Sequence, residues 1–281
     1  MTQQNLNEPN QEYDKQMIFK YFGQIHDGKL YIGDWRNGDP EVTNLSFVEQ
    51  FNIQKLRIFV SNGMNVKFRS YTIKKLTLSI VQEQKQFKYI IVDDLELDNL
   101  EVLLLCYNNL ENDQLWNLAK FKKLRHLDVS NNNVDLKHIY NVTSITTLQM
   151  QRCELKDIIQ IGSLTNLNVL NVSINQLQKI DQICLLVNLK ELYISQNKGL
   201  DIAPLKHLLG LTHLAINECD ITQLSALQPL INLQELSLAN NSDINISELQ
   251  FLKNLTHLTL EQCKIVSIYV LRPLELRKSK Y

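Results

Sequence analysis

From Leu100 onward the apolar positions follow one template, L-x-x-L-x-L-x-x-[N/C]-x-L. Leu167-Asn168-Val169-Leu170-Asn171-Val172-Ser173-Ile174-Asn175-Gln176-Leu177 is one copy, and LTHLAINECDI from Leu211 and LTHLTLEQCKI from Leu255 are others. The second apolar position falls at Leu103, Leu127, Leu148, Leu170, Leu192, Leu214, Leu236 and Leu258, in steps of 24, 21 and then 22 residues throughout. Earlier copies are worn: Ile53-x-x-Leu56-x-Ile58 and Ile73-x-x-Leu76-x-Leu78 keep the first half, and Leu30-Tyr31-Ile32 reads as a first strand with Leu45, Val48 and Phe51 on its return limb. In an L-x-L strand, alternate side chains face opposite ways, so the leucines point in and the residues between them point out. The second half of a unit, such as Ile221-x-x-Leu224-x-x-Leu227-x-x-Leu230, is apolar at every third position, which suits extended or 3-10 turns better than long helices. No such unit can bury its leucines alone, so the units must stack. The pattern predicts about eleven short parallel strands, spaced about 4.8 Å apart over about 50 Å, on the concave side of an arc.

This repeat resembles the leucine-rich repeat family, and its period and second half resemble the 22-residue subclass. That subclass includes the leucine-rich regulatory subunit of protein phosphatase 1 and the bacterial internalins. The expected fold is an α/β solenoid: a curved horseshoe with a parallel concave sheet and 3-10 or irregular convex limbs. Residues 1–26 are expected to be a polar leader or short N-terminal cap, and 27–281 a single solenoid. Within the solenoid, 27–99 hold degenerate repeats, 100–265 regular ones, and 266–281 a short tail. A solenoid exposes its core at an uncapped end. Either that tail folds over the last unit, or the chain continues or pairs there, with self-association through the end as one outcome. The tail does not resemble the longer cap of the phosphatase subunit. The resemblance also implies a role for Asn108, Asn132, Asn175, Asn197 and Asn241, where the chain leaves each strand. In the family that side chain points inward and satisfies neighbouring backbone groups. Cys153, Cys219 and Cys263 hold the same position in three units. They read either as small buried thiols replacing Asn or as a metal or redox set; a separation of about 10 Å between alternate strands, beyond disulfide reach, supports the first.

Composition narrows the function. Lys and Arg total 29 against 30 Asp and Glu, a formal net charge of −1. That balance disfavours nucleic acid and gives no electrostatic reason to sit on an anionic membrane. The N-terminus lacks the apolar core of a secretory signal, and no run approaches the roughly 18 apolar residues of a membrane span. Five cysteines make an odd and low number for a stapled secreted fold, so a cytoplasmic protein with reduced thiols is expected. About one residue in six is Leu and about one in ten is Asn, against only 8 Gly and 5 Pro, which disfavours an enzyme built on Gly-rich phosphate loops. Phosphate-loop, zinc-helix, C-x-x-C and G-x-S-x-G signatures are missing, so no catalysis, cofactor or metal is expected. The N-x-[ST] triplets at Asn141, Asn171 and Asn254 lie in or beside strands and read as chance products of an Asn-rich chain.

The outward strand positions form the one extended surface that the register defines. The column before the second leucine runs Val102, His126, Thr147, Val169, Glu191, His213, Glu235, His257. Its last four members, spaced roughly 5 Å apart, read as a hydrogen-bonding ladder, a partner-binding strip or a His/Glu metal site. The next two columns contribute Asp128, Gln149, Asn171 and Tyr193, then Asn217 and Glu261, and are mostly small and polar. Tyr193 is the best single anchor, since Tyr is enriched at interface hot spots. Tyr107 and Arg152 stand at strand exits, while Trp35 and Trp116 are expected to pack against the solenoid. The expected function is therefore a non-catalytic protein-interaction module that binds an unidentified protein partner on the concave sheet. The alternatives are a regulatory subunit of a phosphatase 1-like enzyme and an internalin-like surface adhesin.

Overall fold

A computed structural model describes residues 29–32, 52–60, 68–80, 95–108, 110, 115 and 117–280. The leader and Trp35, Leu45, Val48, Phe51 and Trp116 lie outside these. Each L-x-L segment is a short strand because its two flanking leucines have the interior of the stack to enter. In chain order the strands are β1 (Lys29–Ile32), β2 (Lys55–Val60), β3 (Phe68–Arg69), β4 (Lys75–Ile80), β5 (Leu95–Glu96), β6 (Val102–Leu104), β7 (His126–Asp128), β8 (Thr147–Gln149), β9 (Val169–Asn171), β10 (Glu191–Tyr193), β11 (His213–Ala215), β12 (Glu235–Ser237), β13 (His257–Thr259) and β14 (Lys278–Lys280). Among the described residues, twelve of them form one open parallel sheet in the order β1-β2-β4-β6 and then consecutively to β14. The register places Leu103, Leu127, Leu148, Leu170, Leu192, Leu214, Leu236 and Leu258 side by side. All eight are buried, as one row of a core that runs the length of the sheet.

The expected solenoid is thus observed, with two differences. The segment expected as a tail forms another coil: a 3-10 turn over Tyr269–Leu271 buries Leu271 and Leu274, and β14 pairs in parallel with β13. A second, two-stranded sheet, β3 with β5, joins the degenerate repeats. The return limbs are 3-10 turns, as the three-residue spacing requires; Ile180, Ile183, Leu186 and Leu189 all face the core around the turn Asp181–Leu185. A limb built this way is wider than a strand, so stacking bends the sheet inward.

The strand exits carry the polar spine. Asn132 Nδ2 donates to Leu105 O at 2.9 Å and Val129 O at 2.8 Å, while its Oδ1 accepts from the backbone N–H groups of Asn108 at 3.0 Å and Leu110 at 2.9 Å. Asn175 and Asn241 repeat this pattern one coil behind themselves, and Asn197 accepts from Leu177 N. Each buried turn is satisfied by the side chain of the following unit. The cysteines keep half of the arrangement. Cys153 donates its thiol to Val129 O at 3.4 Å and Cys219 to Ile194 O at 3.4 Å. Burial pushes both thiols up to about 11, partly offset by backbone N–H groups of the preceding turn that point at the sulfur. All five cysteines are free, and Cys263, only partly buried, donates likewise to Leu238 O at 3.2 Å, so the three thiols replace Asn as small donors.

The residue before each spine position is left-handed. Tyr107, Asn131, Arg152, Ile174, Gln196, Glu218, Asn240 and Gln262 have φ between 53° and 60°, and none is glycine. The turn needs this conformation to swing the next side chain inward, and the spine bonds hold it there.

Candidate functional site

Parallel register brings the outward residues of β6 to β13 into columns. In the first column His126 is half-buried; burial lowers its pKa from the ordinary 6.5, with Asp128 opposing and Lys75 adding to the shift. Further along, Glu191, His213, Glu235 and His257 are lateral neighbours. Glu235 Oε1 lies 3.7 Å from His213 Nε2 and 3.8 Å from His257 Nδ1. Those distances are too long for hydrogen bonds, so the carboxylate bridges the two rings as a loose ion pair when they are charged. The rings are held from their own strands instead. Thr212 Oγ1 donates to Lys190 O at 3.0 Å and sits 2.8 Å from His213 Nδ1. Its only proton is committed, so Nδ1–H of His213 is the donor to it. Thr256 holds His257 the same way, at 2.9 Å. Among the described residues, no three His, Cys, Asp or Glu side chains meet as a metal-holding group.

Tyr193 Oη donates to Glu191 Oε2 at 2.9 Å, a bond that runs along β10. Burial, and then this bond to a carboxylate, push the phenol up to about 12. The ring is therefore pre-positioned and costs little further ordering when a partner packs on it. Tyr193, Glu191, His213, Glu235 and His257 thus form one continuous patch over β10 to β13.

The other expected residues divide. Gln149 is half-exposed on the middle of the sheet, and Arg152 and Glu261 are exposed at its edge. Asp128 Oδ1 accepts from Ser130 N at 2.9 Å, which restrains but does not cover it. Asn171 is buried; its Oδ1 accepts from Ser173 N at 3.1 Å. Asn217 spends its Oδ1 on Ser237 Oγ at 2.7 Å and Ala239 N at 2.8 Å. These two asparagines therefore shape the sheet surface more than they offer groups to a partner. Sequence reading also missed Gln196 and Glu218, bonded Nε2 to Oε1 at 3.2 Å along the strand exits. The signal was present, since both directly precede a spine position.

No protein-family model matches the sequence, and no curated relative does. Solved structures do. An internalin (inlF) from Listeria monocytogenes is 22% identical over 90% of this chain and 86% of its own, with a TM-score of 0.58. Internalin C2 from the same organism is 26% identical over 65% of this chain and 80% of its own, with a TM-score of 0.61. A plant peptide hormone receptor, RGFR1 in complex with RGF2, is 22% identical over 66% of this chain and 32% of its own, with a TM-score of 0.50.

Proposed function

The chain is a leucine-rich repeat protein with a structural likeness to internalins, and from that premise we propose that it is a non-catalytic module that binds a protein partner on its concave sheet. The supporting observation is the patch over β10 to β13. There a tyrosine is locked by a carboxylate, and a second carboxylate stands between two histidines, all at least partly open to solvent. Aromatic anchors ringed by polar groups are the usual centre of a protein interface. The likeness to a receptor solved with its partner supports the same use of the fold. The buried thiols are poor nucleophiles at neutral pH because they stay protonated, which fits a module without chemistry of its own. Five free cysteines fit a reducing compartment, and we read the cytoplasm as the site of action.

The test is affinity capture with the wild type and a Tyr193→Ala/Glu235→Lys double variant. Partners retained by the wild type and lost by the variant, with unchanged circular dichroism, would support this face. Partners that survive both substitutions would reject it.

A further inference from the structure

The three earliest strands of the main sheet present a column of like charge. Lys29 of β1, Lys55 of β2 and Lys75 of β4 are direct lateral partners in the parallel register. The residue after each is Leu30, Leu56 or Leu76, and Leu56 and Leu76 are buried, so Lys55 and Lys75 stand on the opposite, concave face. Lys29 and Lys55 are exposed and Lys75 is half-exposed. Arg57 follows two residues on, exposed on the same face. The strand residues of β1, β2, β4 and β6 include no Asp or Glu, and the first acid along the concave columns is Asp128 on β7.

Stacking like charges on adjacent strands destabilises a sheet. A lysine on the outer strand β1 could be explained as protection against edge pairing. Lys55 and Lys75 sit on interior strands, paired on both sides, so that explanation does not reach them. A net charge of −1 for the whole chain makes the local concentration of cations a matter of placement rather than of composition. The carboxylates Glu191 and Glu235 lie further along the same face, across an uncharged middle of Thr147, Gln149 and Val169, and Lys278 and Lys280 of β14 follow them in register with His257 and Thr259.

We infer that the lysine column over β1, β2 and β4 is a docking strip for an acidic, Asp/Glu-rich segment of a protein partner. The inference rests on the concave-face reading above and gives that partner a polarity: acidic where it meets β1 to β4, more basic toward Glu191 and Glu235. A peptide is favoured over nucleic acid because the cations form a short column rather than a long track, and no Lys or Arg lies on the next eight strands, β6 to β13.

The experiment is fluorescence anisotropy of the full chain with a labelled peptide of about ten glutamates, at low and at moderate salt to follow screening. The expected result is saturable binding that weakens with salt, at least about tenfold weaker for Lys55→Glu/Lys75→Glu. Lys55→Gln/Lys75→Gln, which adds no new repulsion, should give an intermediate loss with unchanged circular dichroism. Equal binding by wild type and both variants overturns the inference, as does tighter binding of a single-stranded oligonucleotide at the same lysines. Loss of partner capture in Tyr193→Ala/Glu235→Lys together with an unbound glutamate peptide would sink the lysine strip alone. Capture that survives the substitutions at both ends would sink the concave-face reading itself.

Discussion

Ile174 holds a left-handed backbone, φ 58°, with a β-branched side chain. That combination is the most strained of the eight strand-exit positions, because Cβ and its two branches crowd the following carbonyl. Ile174→Asn should therefore raise stability by about 1 kcal/mol, read as a higher urea midpoint with an unchanged slope. His126 sets an opposite effect. Burial holds its folded pKa below 6.5, so the unfolded chain binds more protons between the depressed value and 6.5. The sign follows: stability falls as pH drops through that window, and the loss is complete below the folded value. His126→Gln should flatten this part of the pH–stability curve, measured by urea titration at a series of pH values. A variant with the wild-type slope would show that His126 is not the group responsible.

At the scale of the coil, a second row of asparagines ties the outer limbs together. Asn166 Nδ2 donates to Thr143 O at 2.8 Å, Asn188 to Thr165 O at 3.0 Å, Asn232 to Leu209 O at 2.9 Å and Asn254 to Ile231 O at 2.8 Å. The row is broken at Gly210, the equivalent position of one unit. A Cβ there would lie 3.5 Å from Val187 O, with the closest neighbour only the flexible end of Lys190 at 3.0 Å. Gly210→Asn should restore the missing bond and reduce the freedom of the unfolded chain, raising stability by roughly 1–2 kcal/mol in thermal or urea unfolding. The strands and the inward spine were legible because their spacing repeats on the same residue types. This outer row also repeats asparagine, at Asn166, Asn188, Asn232 and Asn254, but these positions are exposed, and spacing alone does not separate an exposed Asn that bonds backbone from one that faces only water. The last coil was missed for another reason: Ser279 stands where the register expects the second leucine, beside Leu258. The candidate patch was half legible. Register placed Glu191, His213, Glu235 and His257 side by side, but the threonines that orient the rings, and the burial of Asn171, depend on packing that a column of letters does not show.

Over the whole molecule, each coil touches its neighbours along the stack, so stability is shared locally. Leu192 lies near the middle of the array, fully buried between Leu170 and Leu214. Leu192→Ala should cost about 3–4 kcal/mol. Hydrogen exchange should show protection lost in β9, β10 and β11 and largely kept in β6 and β7. Uniform loss along the chain would instead mean that the stack unfolds as one unit. The spine adds a direction to this array. Asn132, Asn175 and Asn241 each bond the end of their own strand through Nδ2 and, through Oδ1, close the turn of the coil before them. During synthesis, a coil whose successor carries an asparagine thus leaves the ribosome with its turn unfinished, and its backbone N–H groups find their acceptor only when that successor arrives to lend an amide.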